Sequence, residues 1–215
     1  MSNQLSVETF DKFAIEYDQK YKNFRPYTET YDKLGSLLST DRLLSVLEIA
    51  CGPAHASSYL IKQGFSLDVF GFDLAPNMVD LARKNVPGGV FEVLDCQNLD
   101  SLPHSFQRKY DVVICGFCVP YMNPSECLKL VKDVSDALKP GGIAYLSAIE
   151  GYQYYSEQKT SSSGDAVFMH HHTVGFLRDN FSKFGLDVVH ITRKNLTTDG
   201  STDDSEVFLY ARMKR

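Results

Sequence analysis

Residues able to do chemistry stand in this chain where apolar runs stop. Leu43, Leu44, Val46, Leu47 and Ile49 form one run, broken by a single acid, Glu48, and ended by the small residues Ala50, Cys51 and Gly52. A strand that stops at a small-residue turn before a helix leaves backbone N–H groups that a ligand can approach closely. A carboxylate inside such a strand is costly to bury without a cationic or hydrogen-bonding partner. Together the two features suit a small ligand with a positively charged group, although an ordinary strand-to-helix turn has the same pattern. Asp73 ends a second run about twenty residues later, where a carboxylate can accept two hydrogen bonds from ribose hydroxyls. Its plainer role is a helix cap. Asp95, followed by Cys96, ends a third run. An acid there suits an adenine amino group or, more simply, a loop.

Holding three acids at successive strand ends requires a sheet, and the patterning predicts one. Strands are expected at Leu44–Ile49, Leu67–Phe72, Val90–Leu94, Asp111–Cys115 and Ile143–Ser147, and helices at Ala54–Gln63, Pro76–Asn85 and Pro124–Leu138. This alternation implies an α/β fold: a doubly wound, mostly parallel sheet with right-handed crossovers and helices on both faces. In such a sheet the ligand crevice lies at the carboxyl ends of the strands. A helix at Val174–Phe184, stopped by Gly185, precedes strands Leu186–Arg193 and Glu206–Met213, which should form an antiparallel hairpin. The acidic 199–206 stretch reads as a solvated loop and Thr160–Asp165 as a surface loop. Upstream, Phe10, Phe13, Ala14, Tyr17 and Tyr21 give a helix over residues 7–23 an aromatic face, and a second helix runs from about Tyr27 to Leu38.

The 215 residues fit one domain, with a helical cap at 1–40, a cofactor-binding core at 41–150, and a pocket loop, helix and hairpin at 151–215. A net charge of −5 gives no reason to expect a nucleic-acid partner. No apolar run approaches the ~20 residues of a membrane span, and the N-terminus lacks a signal-peptide core. Five cysteines in apolar or helical context suit the reduced state, so a cytoplasmic monomer or homodimer is expected.

Five segments in order resemble the class I S-adenosylmethionine-dependent methyltransferases, particularly the small-molecule enzymes of the type 11/25 kind. They are Phe10-Asp11-x-x-Ala14-x-x-Tyr17-Asp18, Val46-Leu-Glu-Ile-Ala-Cys-Gly-Pro-Ala54, and Gly71-Phe-Asp73-Leu-Ala-Pro-Asn-Met78 with Asp95-Cys96. Tyr110-Asp-Val-Val-Ile-Cys115 and Leu138-Lys-Pro-Gly-Gly-Ile-Ala-Tyr-Leu146 complete the set. The resemblance implies a Rossmann-like sheet of seven strands with a reversed last strand. It also implies S-adenosylmethionine as cofactor, S-adenosylhomocysteine as product and a small-molecule methyl acceptor. By position, Glu48 would meet the ammonium of the methionine end above the turn of Ala50, Cys51 and Gly52. Asp73 would hold the ribose, Leu74 and Met78 would flank the adenine, and Asp95 and Cys96 would meet its edge. Gly116 and Phe117 would sit by the methionine moiety, Tyr17 over the cofactor and Arg25 near its carboxylate. The family's first turn is acid-x-Gly-x-Gly-x-Gly, whereas this chain has Ala50, Gly52 and Ala54. Close approach survives those methyl groups if positions 50 and 54 avoid positive φ.

For a catalytic base the candidates are Tyr17, His55, Tyr121 and His172, each with a packing role as its simpler explanation. His170–His172 are adjacent and so do not share one face, and no ligand set is completed; no metal is expected. Cys115-x-x-Cys118 lacks a second pair and reads as packing. Two other functions compete with methyl transfer. A nicotinamide-dependent oxidoreductase would need Gly-x-Gly-x-x-Gly at the first turn, which this chain lacks. A noncatalytic cofactor-binding module would keep the pocket without turnover.

Overall fold

The computed structural model describes residues 2–160, 166–195 and 205–215. Helices α1 (Ser2–Lys12), α2 (Ala14–Tyr21) and α3 (Arg25–Gly35) lead into β1 (Leu44–Ile49), α4 (His55–Lys62), β2 (Leu67–Asp73), α5 (Pro76–Asn85) and β3 (Val90–Val93). The chain continues through β4 (Tyr110–Cys115), α6 (Pro124–Ala137) and β5 (Leu138–Glu150). It ends with β6 (Tyr155–Thr160), β7 (Ala166–His172), α7 (Val174–Lys183), β8 (Leu186–Lys194) and β9 (Ser205–Met213).

Strands β3, β2, β1, β4 and β5 lie side by side and parallel, with β9 antiparallel on β5 and β8 antiparallel on β9. The switch from leftward to rightward growth falls between β1 and β4, which opens a crevice at their carboxyl ends. Every residue of β4 is buried, as expected for a parallel strand covered on both faces. Helices α3, α4 and α5 pack on one face through Leu34, Leu60 and Val79, and α6 and α7 on the other through Val131 and Phe181. Asn123 starts α6 with a reciprocal capping box, its carboxamide accepting from Glu126 N–H while Glu126 accepts from Asn123 N–H.

Two features depart from expectation. The seven expected strands are present, but the stretch expected to be a pocket loop also contributes β6 and β7. Strand β5 outruns β4, whose last partner is Leu146, and β7 pairs in parallel with Ile149 and Glu150 beyond it. The single helix expected over 7–23 is broken at Phe13 (φ −106°, ψ 22°), which separates α1 from α2. Residues 161–165 and the 196–204 loop lie outside the described residues. Glu206, expected both at the end of the acidic loop and as the first residue of the last strand, lies in β9 and is half-buried.

Candidate functional site

The turn after β1 is built from left-handed residues at alternate positions: Ala50 (φ 49°), Gly52 (φ 49°) and Ala54 (φ 55°). Both alanines therefore do adopt positive φ, a conformation that costs an L-residue ~1–2 kcal/mol. The coil lets Cys51 N–H donate to Phe72 O at 2.9 Å and Gly52 N–H to Asp73 Oδ2 at 2.9 Å, tying the ends of β1 and β2 together. Replacing Ala50 with Gly should relieve about 1 kcal/mol and raise the melting temperature by ~2–4 °C, read by thermal denaturation. Ala54 is completely buried, so Ala54→Gly loses a methyl contact worth ~0.8 kcal/mol and should come out near neutral.

Asp73 accepts at both oxygens, Oδ2 from Gly52 and Oδ1 from Ala75 N–H at 2.9 Å, so it caps the turn before α5. Burial raises its pKa against those bonds. Each oxygen keeps a second lone pair for a ligand hydroxyl. Glu48 lies between Gly71 of β2 and Ile114 of β4, is only 4% exposed, and accepts from the Ser57 hydroxyl of α4. Burial pushes its carboxyl up to about 7.

These residues border two adjoining cavities at the carboxyl ends of the strands. Ala50, Gly52, Asp73, Leu74, Met78, Asp95, Cys96, Gly116 and Phe117 line the larger, with Phe10, Tyr17 and Tyr121 closing it. Glu48, Cys51 and His55 line the smaller, which shares Tyr17, Ala50, Gly52, Gly116 and Phe117 with the first. Asp95 Oδ1 accepts from Gln97 N–H at 2.8 Å, and Cys96 Sγ lies 3.6 Å from Cys118 Sγ. Arg25 is the cofactor-site candidate that borders neither cavity; its side chain is 87% exposed and meets Glu29 at 3.0 Å.

The lid over this space is fastened from both ends. Asp11 of α1 accepts from Asn77 N–H at 2.7 Å, at the start of α5. Asp18 of α2 accepts from Asn85 at 2.8 Å and pairs with His55 Nε2 at 2.9 Å, and Asn85 also donates to Pro53 O. Burial lowers the His55 pKa despite Asp18, so the pair is a neutral imidazole donating to a carboxylate. Tyr17 runs parallel to the His55 ring at 6.1 Å, and burial pushes its phenol well up. Tyr121 stands edge-on to Phe10 at 5.4 Å. His172 borders neither cavity; it bonds Met122 O at 2.9 Å and so steadies the turn that carries Tyr121. His170 meets Tyr154 and His171 meets Glu157, both at 2.9 Å. No cluster of metal-ligand type occurs among the described residues. Phe117 sits at φ 60° with its N–H on Ser147 Oγ at 2.6 Å and its ring 4.6 Å from that of Tyr27. Sequence reading missed Asp18, Ser57 and Ser147 as supports, since each becomes visible only through its partner on another element.

The doubly wound sheet with a reversed β9, and a cavity across its switch point, define a Rossmann-like ligand-binding protein. The SAH-bound magnesium protoporphyrin IX methyltransferase of Synechocystis has the same fold, with TM-score 0.70 and 16% identity over 100% of both chains. A family model for a methyltransferase domain matches residues 46–142. The uncharacterized methyltransferase YdaC of Bacillus subtilis is 30% identical over 61% of this chain and 71% of its own length. A putative methyltransferase of Invertebrate iridescent virus 6 is 29% identical over 48% of this chain. The chain belongs to the methyltransferase family. It spans 37%, 43% and 62% of the length of three curated relatives that it matches. Among the described residues, no helix is long and apolar enough to cross a membrane.

Proposed function

We propose that this protein binds S-adenosylmethionine across the two cavities and transfers its methyl group to a small-molecule acceptor. One observation carries the reading: the cavities share a left-handed turn, with Asp73 and Asp95 bordering one and Glu48 the other. A ligand with a ribosyl adenine at one end and an ammonium at the other matches that division of charge and hydrogen-bonding groups. In this reading Asp73 holds the ribose hydroxyls, and Leu74, Met78, Asp95 and Cys96 surround the adenine. Glu48 takes the ammonium of the methionine end beside the turn of Ala50, Cys51 and Gly52, and Tyr17, Gly116 and Phe117 flank the sulfur. Arg25 has no part in it, because its side chain stands at the surface and borders neither cavity.

The bound sulfonium supplies an already activated methyl group, which leaves the chain to align the acceptor and exclude water. Phe10, Tyr17, Tyr121 and Met122 provide the apolar cover. Tyr17 and Tyr121 stay protonated, since burial first and neighbouring charge second raise both phenols, and they serve as donors. His55 and His172 are committed to Asp18 and Met122 and act as positioning residues.

Calorimetry tests the assignment: S-adenosylhomocysteine should bind and NAD(H) should not, and the reverse would sink it. Methyl transfer to any member of a metabolite panel separates the enzyme from a noncatalytic module. The lid makes its own prediction. Asp18→Ala unfastens α2 from both α4 and α5 and should speed S-adenosylhomocysteine dissociation by about tenfold in stopped flow, the equivalent of one or two lost hydrogen bonds. An unchanged rate would remove the latch from the mechanism.

A further inference from the structure

The relatives' names include malonyl-[acyl-carrier protein] O-methyltransferase and demethylmenaquinone methyltransferase, so the acceptor has to be read from this chain's own residues. Glu206 is a half-buried acid that the cofactor reading leaves unused. It lies on β9 opposite Ile149 of β5, on the same face as Phe208 and Tyr210. Its Oε1 accepts from Tyr27 hydroxyl at 3.1 Å, while its Oε2 is buried without a hydrogen-bond partner. The cations nearest along the sheet are engaged elsewhere: Lys194, its cross-strand neighbour, pairs with Glu29, and Arg193 with Glu150.

The tyrosine that donates to this carboxylate stands in an aromatic cluster. The Tyr27 ring packs against Tyr21 at 5.6 Å, Phe24 at 5.0 Å and Phe117 at 4.6 Å. Phe117 borders both cavities, so the rings of Tyr27 and Phe117 stand between Glu206 and the place where the methyl group would be delivered. Burial chiefly, and after it charges that include Glu206, raise the phenols of Tyr17 and Tyr121 on the cavity wall, which puts the acid within electrostatic reach of it. A half-satisfied carboxylate beside an aromatic cluster is the chemistry that recognises a compact organic cation.

We propose that Glu206, with Tyr27 and Phe117, forms an acceptor subsite for a protonated amine, so that the methyl acceptor carries a basic nitrogen. The subsite rests on the methyltransferase reading above. Ring rotation at Phe117 or Tyr27 would admit the ligand, and Oε2 would gain the charged partner that it lacks. Burial holds the Glu206 carboxyl at about 7, so it is ionised at pH 8.

The test uses the full chain loaded with S-adenosylhomocysteine at pH 8, titrated with benzylamine and with its neutral analogue benzyl alcohol. The wild type should bind the amine about tenfold more tightly, the scale of one charge-assisted hydrogen bond. Glu206→Gln should reduce that preference to about twofold or less, with S-adenosylhomocysteine affinity unchanged. Tyr27→Phe should keep it, because the charge remains. A wild type that does not prefer the amine overturns the proposal without recourse to any variant, and so does a preference that survives Glu206→Gln. Failure of S-adenosylhomocysteine itself to bind would remove the cofactor reading, and the subsite with it.

Discussion

Asp73→Ala is expected to weaken S-adenosylhomocysteine binding by about 100-fold or more while the protein stays folded. Two charge-assisted hydrogen bonds to ribose hydroxyls contribute on the order of 3 kcal/mol together, and tenfold corresponds to ~1.4 kcal/mol. A second loss comes from the turn. Asp73 accepts from Gly52 and Ala75 N–H, so its removal frees the coil that sets the shape shared by both cavities. The fold tolerates the change because the substitution also takes away a carboxyl that burial disfavours as an anion. Asp73→Asn should fall between the two. Its amide nitrogen cannot accept, so one of the two backbone donors loses its partner. Calorimetry at fixed pH reads both variants, and an unchanged affinity in Asp73→Ala would refute the ribose role.

The parts of this architecture that sequence patterning revealed are those with a local cause. Pro76–Asn85 begins and ends where its proline and spacing predict, because a proline in the first turn and an apolar stripe are both local signals. Strands β1 and β4 are apolar because both faces are covered, and the ends of β1 and β2 place Gly52 and Asp73 without reference to anything distant. Strand β6 has no such signal. Ser156, Glu157, Gln158 and Lys159 are polar, and they pair because β7 is held at the free end of β5. Arg25 was a candidate for a carboxylate, but its side chain points to the surface beside Glu29, one helical turn on, and borders neither cavity. The positive φ of Ala50 and Ala54 is a tertiary outcome, imposed by joining β1 to a helix while bonding Asp73. Glu206 both closes the acidic 199–206 stretch and opens the last expected strand, so local composition alone left its environment undecided. Its two-residue spacing from Phe208 and Tyr210 was the signal that it shares their buried face.

Glu48 should make cofactor affinity rise with pH through about 7. In the free protein burial holds this carboxyl at about 7, well above the ordinary glutamate value near 4.3. Protonated, it offers a ligand ammonium no counter-charge. The affinity of S-adenosylhomocysteine should therefore fall by up to about tenfold per unit below pH 7 and level off above it. The same shift acts on the fold with the opposite sense. Between the unfolded and folded values the native state holds the extra proton, so free-protein stability falls as pH rises, by up to ~1.4 kcal/mol per unit, and is flat beyond. Glu48→Gln separates these effects from those of Glu206, which titrates in the same range. The glutamine keeps the contact to Ser57 but cannot ionise. At pH 8 the free variant should melt several degrees above the wild type, by ~2–4 °C per kcal/mol of relieved burial cost. Its affinity for S-adenosylhomocysteine should nevertheless be ~10- to 100-fold weaker, the loss of a buried ion pair's attraction, and nearly independent of pH between 6 and 8. A variant that lost stability and affinity together would mark Glu48 as a packing residue. A more stable fold that binds more weakly would mean that the chain keeps a buried charge in β1 for its ligand.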